Sequence, residues 1–373
     1  MIQPKEFFEA VTSRGIGFYA GVPDSLLANF CACVDDQVGR DHHLITANEG
    51  NAVALAIGYH MASAKIALVY MQNSGLGNTV NPLASLADHE VYKVPMMLVI
   101  GWRGEPGIKD EPQHVKQGRI TLGQLELLEI PYWILDADSE INPTLDVAFA
   151  SMRNLNSPVA LVVRQNTFAK YQSHKASTSE STMLRESALE QLLQLCSKDD
   201  LIVSTTGKAS REVFEIRKKL GQVQQDFLTV GGMGHTASIA LGVAIGQPQR
   251  RVVCFDGDGS LLMHMGSMPV IANYKPTRFV HVLLNNGSHE SVGGQPTSAN
   301  LVNFAQLANA VGYLGYASAN DLYSLKKAWD SLIDKTGPVL LEVKVKNGSR
   351  HDLGRPTTTP EENKIAFMKS IYV

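Results

Sequence analysis

Short apolar runs, rich in β-branched and large aliphatic residues, recur along the chain, and each empties into a polar or glycine-bearing turn. In the first half they fall at 15–21, 44–47, 66–71, 96–100, 132–135 and 159–163. Runs this short and this apolar are predicted as strands buried on both faces, and most are separated by stretches of helical spacing. Strand, turn and helix in alternation predict a parallel sheet with helices on either side. The pattern stops at 170–182, KYQSHKASTSEST, which is polar, serine-rich and nearly free of large apolar residues. Beyond it the alternation resumes, with strands predicted near 201–204, 227–230, 252–255, 280–284 and 339–345. The chain therefore reads as α/β, with two doubly wound parallel-sheet domains at 1–170 and 185–373 and a linker at 171–184. The halves are alike in pattern rather than in residues, and no short-period repeat is visible.

Composition narrows the function. With 373 residues, 44% of them hydrophobic, the chain can bury two sizeable cores. A net charge of −3 gives no reason to expect nucleic acid or an anionic membrane surface as partner, so an anionic substrate has to be met by local cations. The N-terminus lacks an apolar signal core and no run of about 18 apolar residues occurs, so a soluble, cytoplasmic protein is expected. Cys31 and Cys33 point to different faces of a predicted helix, and Cys196 and Cys254 lie in apolar contexts. Burial is the expectation for all four, rather than metal or redox chemistry.

The chemistry concentrates in residues 251–292. Two predicted strands there end in Gly257-Asp258-Gly259-Ser260 and in Asn285-Asn286-Gly287-Ser288. In an open α/β sheet ligands bind beyond the carboxyl ends of strands, so both clusters face one crevice. Either cluster alone is an ordinary turn. Together they offer a carboxylate (Asp258), an amide oxygen (Asn286, with Asn285 as neighbouring alternative) and a carbonyl (Ser288). That set leaves room around Mg²⁺ for diphosphate oxygens and water. Gly259 and Ser260 open a helix whose free N–H groups favour an anion. A competing reading starts from Gly232-x-Gly234-x-x-Ala237, which follows a predicted strand, precedes Asp256, and is formally a dinucleotide fingerprint. It loses because the strand carrying Asp256 runs directly into a second anion site.

Gly-Asp-Gly followed at this separation by Asn-Asn resembles the signature of thiamine diphosphate enzymes. The resemblance implies that Asp258, Asn286 and Ser288 hold Mg²⁺ and that Gly259, Ser260 and His289 line the cofactor. It further implies that Thr206 and Gly207, with Lys208 beside them, contact the diphosphate. Gly232 and Met233 would support the cofactor rings, with Met233 wedged beneath them. In TANEGNA, 46–52, Glu49 sits between a strand end and an alanine-rich helix, where helix capping alone would explain it. The resemblance instead makes it the glutamate that exchanges a proton with the cofactor's aminopyrimidine, and it places Asn78, in the glycine-rich turn 72–81, at the cofactor. By the same resemblance Asp24 and Ser25, in GVPDS, face the substrate, although Asp24 also reads as a helix cap.

The segment 102–118, WRGEPGIKDEPQHVKQG, has no apolar periodicity and is expected to be a loop over the site. It carries Arg103, Lys109, His114 and Lys116. Three long stretches, WRGEPGIKDEPQH, NNGSHESVGGQPT and LGRPTTTPEENK, resemble the two-domain phosphonopyruvate decarboxylase family. That implies decarboxylation of a small anionic 2-oxoacid, with His114 handling a proton. Its phosphonate would be met among Arg103, Lys109, His114, His289 and Arg350 or Arg355. It also implies a homodimer or larger homo-oligomer with the site at the subunit interface. Sulfopyruvate decarboxylation, carboligation and non-catalytic cofactor binding are the alternatives.

Overall fold

In the first half, β1 (Ile16–Gly21), β2 (His43–Ile45), β3 (Ile66–Gln72), β4 (Met96–Gly101), β5 (Tyr132–Leu135) and β6 (Val159–Val163) form one parallel sheet. In the second, β7 (Leu201–Ser204), β8 (Phe227–Leu228), β9 (Val252–Gly257), β10 (Phe279–Asn285), β11 (Gly315–Ala319) and β12 (Val339–Lys344) form another. The computed structural model describes residues 1–173, 181–290 and 292–372. The central part of the expected linker, 174–180, lies outside the described residues. The chain divides into two units, Met1–Ser177 with Ser291–Gln295, and Thr178–Glu290 with Pro296–Val373.

The sheets run β2-β1-β3-β4-β6-β5 and β11-β12-β10-β9-β7-β8. Numbered from the first strand of each, both follow the same order read from opposite edges. The likeness of pattern along the two halves is thus a likeness of topology. In each sheet the chain departs to opposite sides after its first strand. That creates a crevice at the carboxyl ends of β1 and β3 in one unit and of β7 and β9 in the other.

Central strands carry the cores. MMLVIG of β4, VALVV of β6 and FVHVLLN of β10 are buried along their whole length, as expected of parallel strands with helices on both faces. In the first unit Phe7, Phe30, Phe149 and Phe168 pack on one face of the sheet, and Val53, Met71, Leu98 and Trp102 on the other. In the second, Leu189, Phe214, Phe255 and Trp329 oppose Leu241, Met268, Phe279 and Phe304. The four cysteines are free, three of them buried and Cys196 partly so.

Two elements differ from the sequence expectation. Strand β11, GYASA, was not anticipated: it is a half-exposed edge strand of small residues with no apolar run to announce it. The expected loop at 102–118 is a loop only as far as Glu111, because Pro112 opens a helix, Pro112–Leu127. Proline at the first helical position is favourable, since the N–H it lacks has no partner there. No helix among the described residues is long and apolar enough to cross a membrane.

Candidate active site

In the first unit, Asn48 caps the helix Glu49–Ser63 by accepting the Asn51 N–H at 3.0 Å, which places Glu49 at the first helical position. Its side chain turns inward and is buried. The Asn78 amide donates to Glu49 Oε2 at 2.7 Å. Burial raises the carboxyl above the ordinary glutamate range, and the Asn78 bond only partly offsets that. A Cβ added at Gly75 would lie 2.5 Å from the Glu49 side chain, so the turn after β3 can approach this carboxylate only with glycine there.

Asp24 lies beyond the end of β1 and is fully buried. Gln72, the last residue of β3, donates to its Oδ1 at 2.7 Å, and the Leu26 N–H to its Oδ2 at 3.0 Å. Burial raises this carboxyl too, against those hydrogen bonds and the charge of Arg103. Arg103 forks onto Asp110 at 2.7 and 2.5 Å and donates a third bond to Ser25 Oγ at 2.9 Å. Asn73 fixes the backbone of this loop, donating to the Arg103 carbonyl and accepting its N–H. His114 is half-buried, and its Nδ1 has no hydrogen-bond partner among the described residues. Burial first and the Arg103 charge second lower its pKa, so it is neutral at physiological pH. Lys109 is exposed.

In the second unit, Asp258 opens a short helix directly after β9 and is buried. Thr297 Oγ1 donates to its Oδ2 at 2.5 Å. Burial pushes the carboxyl up to about 6, opposed by Thr297 and by the backbone N–H groups of Asp258, Gly259 and Asn286. All of these are neutral donors, and among the described residues no cationic side chain pairs with Asp258. A buried carboxylate held this way suits a bound cation. On the neighbouring strand Asn285 ends β10, with its amide donating to Glu342 at 2.8 Å and accepting the Gly287 N–H. The Asn286 amide accepts the Ser288 N–H at 3.1 Å and donates to Glu290. Carboxylate, amide oxygen and the Ser288 carbonyl are hard oxygen donors, the set that fits Mg²⁺.

The glycine-rich turn packs on this group. The Gly234 N–H donates to Ser260 Oγ at 3.1 Å, and a Cβ at Gly259 would stand 3.2–3.3 Å from both His289 and Met233. Gly232, Met233, Gly259, Ser260 and His289 thus form one cluster. Thr206 and Gly207 follow β7 and lead into the helix Lys208–Lys219. On β9 and β10, Cys254, Asp256 and His281 are fully buried, and His281 contacts Tyr313 OH at 3.1 Å and Asp256 at 3.4 Å.

Two expectations about cations change. Burial holds His289 down to about 4, so it is neutral at physiological pH and supplies no positive charge. Arg350 is engaged by Glu186, Glu215 and Asp352, which fasten the tail to the second unit along with Arg211 donating to the carbonyls of Leu353 and Gly354. Sequence reasoning missed Thr297, Gln72 as the partner of Asp24, and Glu290. Only Gln72 carried a signal, as the polar residue ending a strand beside the first crevice.

The N-terminal thiamine pyrophosphate-binding domain model of the thiamine pyrophosphate enzymes matches residues 5–126, and the C-terminal one residues 205–343. The chain belongs to the thiamine pyrophosphate enzymes. Within them it is similar to phosphonopyruvate decarboxylases of Streptomyces viridochromogenes and Streptomyces hygroscopicus, with 34% identity over 97% of this chain and 93% and 92% of theirs. Sulfopyruvate decarboxylase of Methanosarcina acetivorans is more distant, 25% identical over 100% of this chain and 99% of its own.

Proposed function

We propose that the protein is a thiamine diphosphate- and Mg²⁺-dependent decarboxylase that converts 3-phosphonopyruvate to phosphonoacetaldehyde and CO₂. The observation that carries the cofactor reading is Asp258, a buried carboxylate surrounded by neutral donors beside the Asn286 turn. Asp258, Asn286 and the Ser288 carbonyl would hold the metal, which would anchor the diphosphate. Thiamine diphosphate, when bound, supplies the electron sink for the pair released with CO₂. Glu49 would hold the proton exchanged with its aminopyrimidine, a task suited to a desolvated carboxyl with a raised pKa. Asp24, oriented by Gln72, and neutral His114 handle protons on the substrate side. Arg103, held rigid by Asp110 and Ser25, and Lys109 meet the phosphonate. Similarity to the Streptomyces proteins along nearly the whole chain supports the choice of substrate.

The functional form is a homodimer or larger, with half-sites of different copies completing one another. Supporting this, the helix Thr236–Gly246, TASIALGVAIG, carries no charged residue and only two hydroxyl side chains, Thr236 and Ser238, yet Ile245 is 49% exposed. Such a helix belongs in an interior.

Substrate choice is tested by kcat/KM for 3-phosphonopyruvate and sulfopyruvate side by side. Charge-assisted hydrogen bonds contribute about 1.5–3 kcal/mol, so the dianionic phosphonate is expected to be preferred by about 10–100-fold. Preference for sulfopyruvate would assign the protein to the sulfonate branch.

A further inference from the structure

The metal half-site is backed by a partly buried charge cluster centred on Glu290, with Arg185 and Glu212 at its buried end. Its Oε1 accepts from Lys208 Nζ at 2.7 Å, and its Oε2 from Arg185 Nη1 at 2.7 Å and Asn286 Nδ2 at 3.1 Å. Arg185 forks in turn onto Glu212 with two bonds of 2.8 Å. One carboxylate thus joins the first residue of the helix Arg185–Leu195, the first residue of the helix Lys208–Lys219, and the turn after β10. Buried ion clusters are weak sources of stability, so what this one holds in place is the more informative question.

It holds an amide. Asn286 has an oxygen at one end of its side chain and an NH₂ at the other, and only the oxygen can ligate a hard cation. A carboxylate accepts hydrogen bonds and cannot donate them, so Glu290 admits only Nδ2. Oδ1 is thereby set on the Ser288 side, where it takes one N–H and keeps a second lone pair. The backbone N–H of Asn286 acts on the Asp258 carboxylate, so this turn adjoins the other side-chain ligand.

We propose that Glu290 is a positioning residue of the divalent-cation site. It fixes the Asn286 amide with its oxygen available to the cation, and it compensates Lys208, whose charge would otherwise oppose a cation, while sharing Arg185 with Glu212. The inference rests on Asp258 and Asn286 being the metal ligands.

The test measures Mn²⁺ affinity of the intact protein with thiamine diphosphate, by paramagnetic resonance of the free ion, without reference to turnover. Glu290→Gln introduces a donor and lets the Asn286 amide turn. Its Mn²⁺ affinity is expected to fall about 10–100-fold, the range for losing an outer partner of a metal ligand. Metal-free binding of inorganic pyrophosphate should be unchanged or tighter, because Lys208 loses its carboxylate partner while Arg185 keeps Glu212; a merely structural defect would weaken both. In an Asn286→Asp background either end of the side chain is oxygen, so Glu290→Gln should then cost clearly less Mn²⁺ affinity, only what the lost charge contributes. Equal losses in both backgrounds overturn the proposal. Failure of the metal reading looks different, with wild type and Asp258→Asn binding Mn²⁺ equally well, and that result overturns both. Should Glu290→Gln not fold, Glu290→Asp keeps the charge but withdraws from Asn286 by one methylene; its Mn²⁺ affinity must also fall, and an unchanged value refutes the role.

Discussion

Glu49→Gln lowers kcat by about 10²–10⁴-fold, the contribution of a well-placed proton-transfer group. The substitution keeps the volume of the side chain, so its close contact with Gly75 and its place at the head of the helix Glu49–Ser63 are retained. What it removes is a carboxyl that burial has lifted above its ordinary range. The residues proposed to hold diphosphate and metal lie in the second unit, so affinity for thiamine diphosphate should change little. Titration calorimetry and steady-state kinetics on the same preparation separate the two effects. Near-normal turnover in the variant would remove Glu49 from the chemistry.

Asp258→Asn has opposite effects on the apoprotein and the loaded protein. With a folded pKa of about 6 against an ordinary 3.8, Asp258 binds its proton more tightly in the folded state. Its contribution to stability is therefore full below the unfolded value and is lost as pH rises through about 6. At pH 8 the apoprotein carries a buried anion without a cation, and the neutral amide relieves it. The variant's apo Tm is expected to exceed that of wild type at pH 8, and the difference should vanish in acid. Loading reverses the order. Removing one partner of a buried charge pair costs about 3–5 kcal/mol, so Mg²⁺-dependent cofactor affinity should fall by about 10²–10³-fold or more. Scanning calorimetry with and without cofactor and Mg²⁺ measures both signs, and an apo variant less stable than wild type at pH 8 would contradict the desolvation argument.

The sequence carried the fold wherever a strand was buried on both faces, because continuous apolar runs such as those of β4, β6 and β10 admit few other readings. It was silent at β11, whose edge position needs no such run, and misleading at Pro112, where proline and glycine composition masked a helix start. Site residues were legible when their chemistry was local. Gly-Asp-Gly and Asn-Asn each announce a strand-end turn, and their separation along the chain identifies the pair. Partners were not legible, because they come from the fold: Thr297 reaches Asp258 across 39 residues and Arg185 reaches Glu290 across 105. Charge was misread for the same reason. His289 counts as a possible cation in the sequence, and only its burial shows that it is neutral. For Arg103 the sequence showed the charge but not the Asp110 fork that fixes its direction.

The central claim is that this chain decarboxylates a 2-oxoacid through thiamine diphosphate held by Mg²⁺. Its most direct test strips the purified protein with chelator, then restores thiamine diphosphate and Mg²⁺ singly and together while CO₂ and aldehyde release from 3-phosphonopyruvate is followed. The account predicts turnover only when both are restored, with CO₂ and phosphonoacetaldehyde formed in equal amounts. Turnover without thiamine diphosphate, or none with both present, would contradict it.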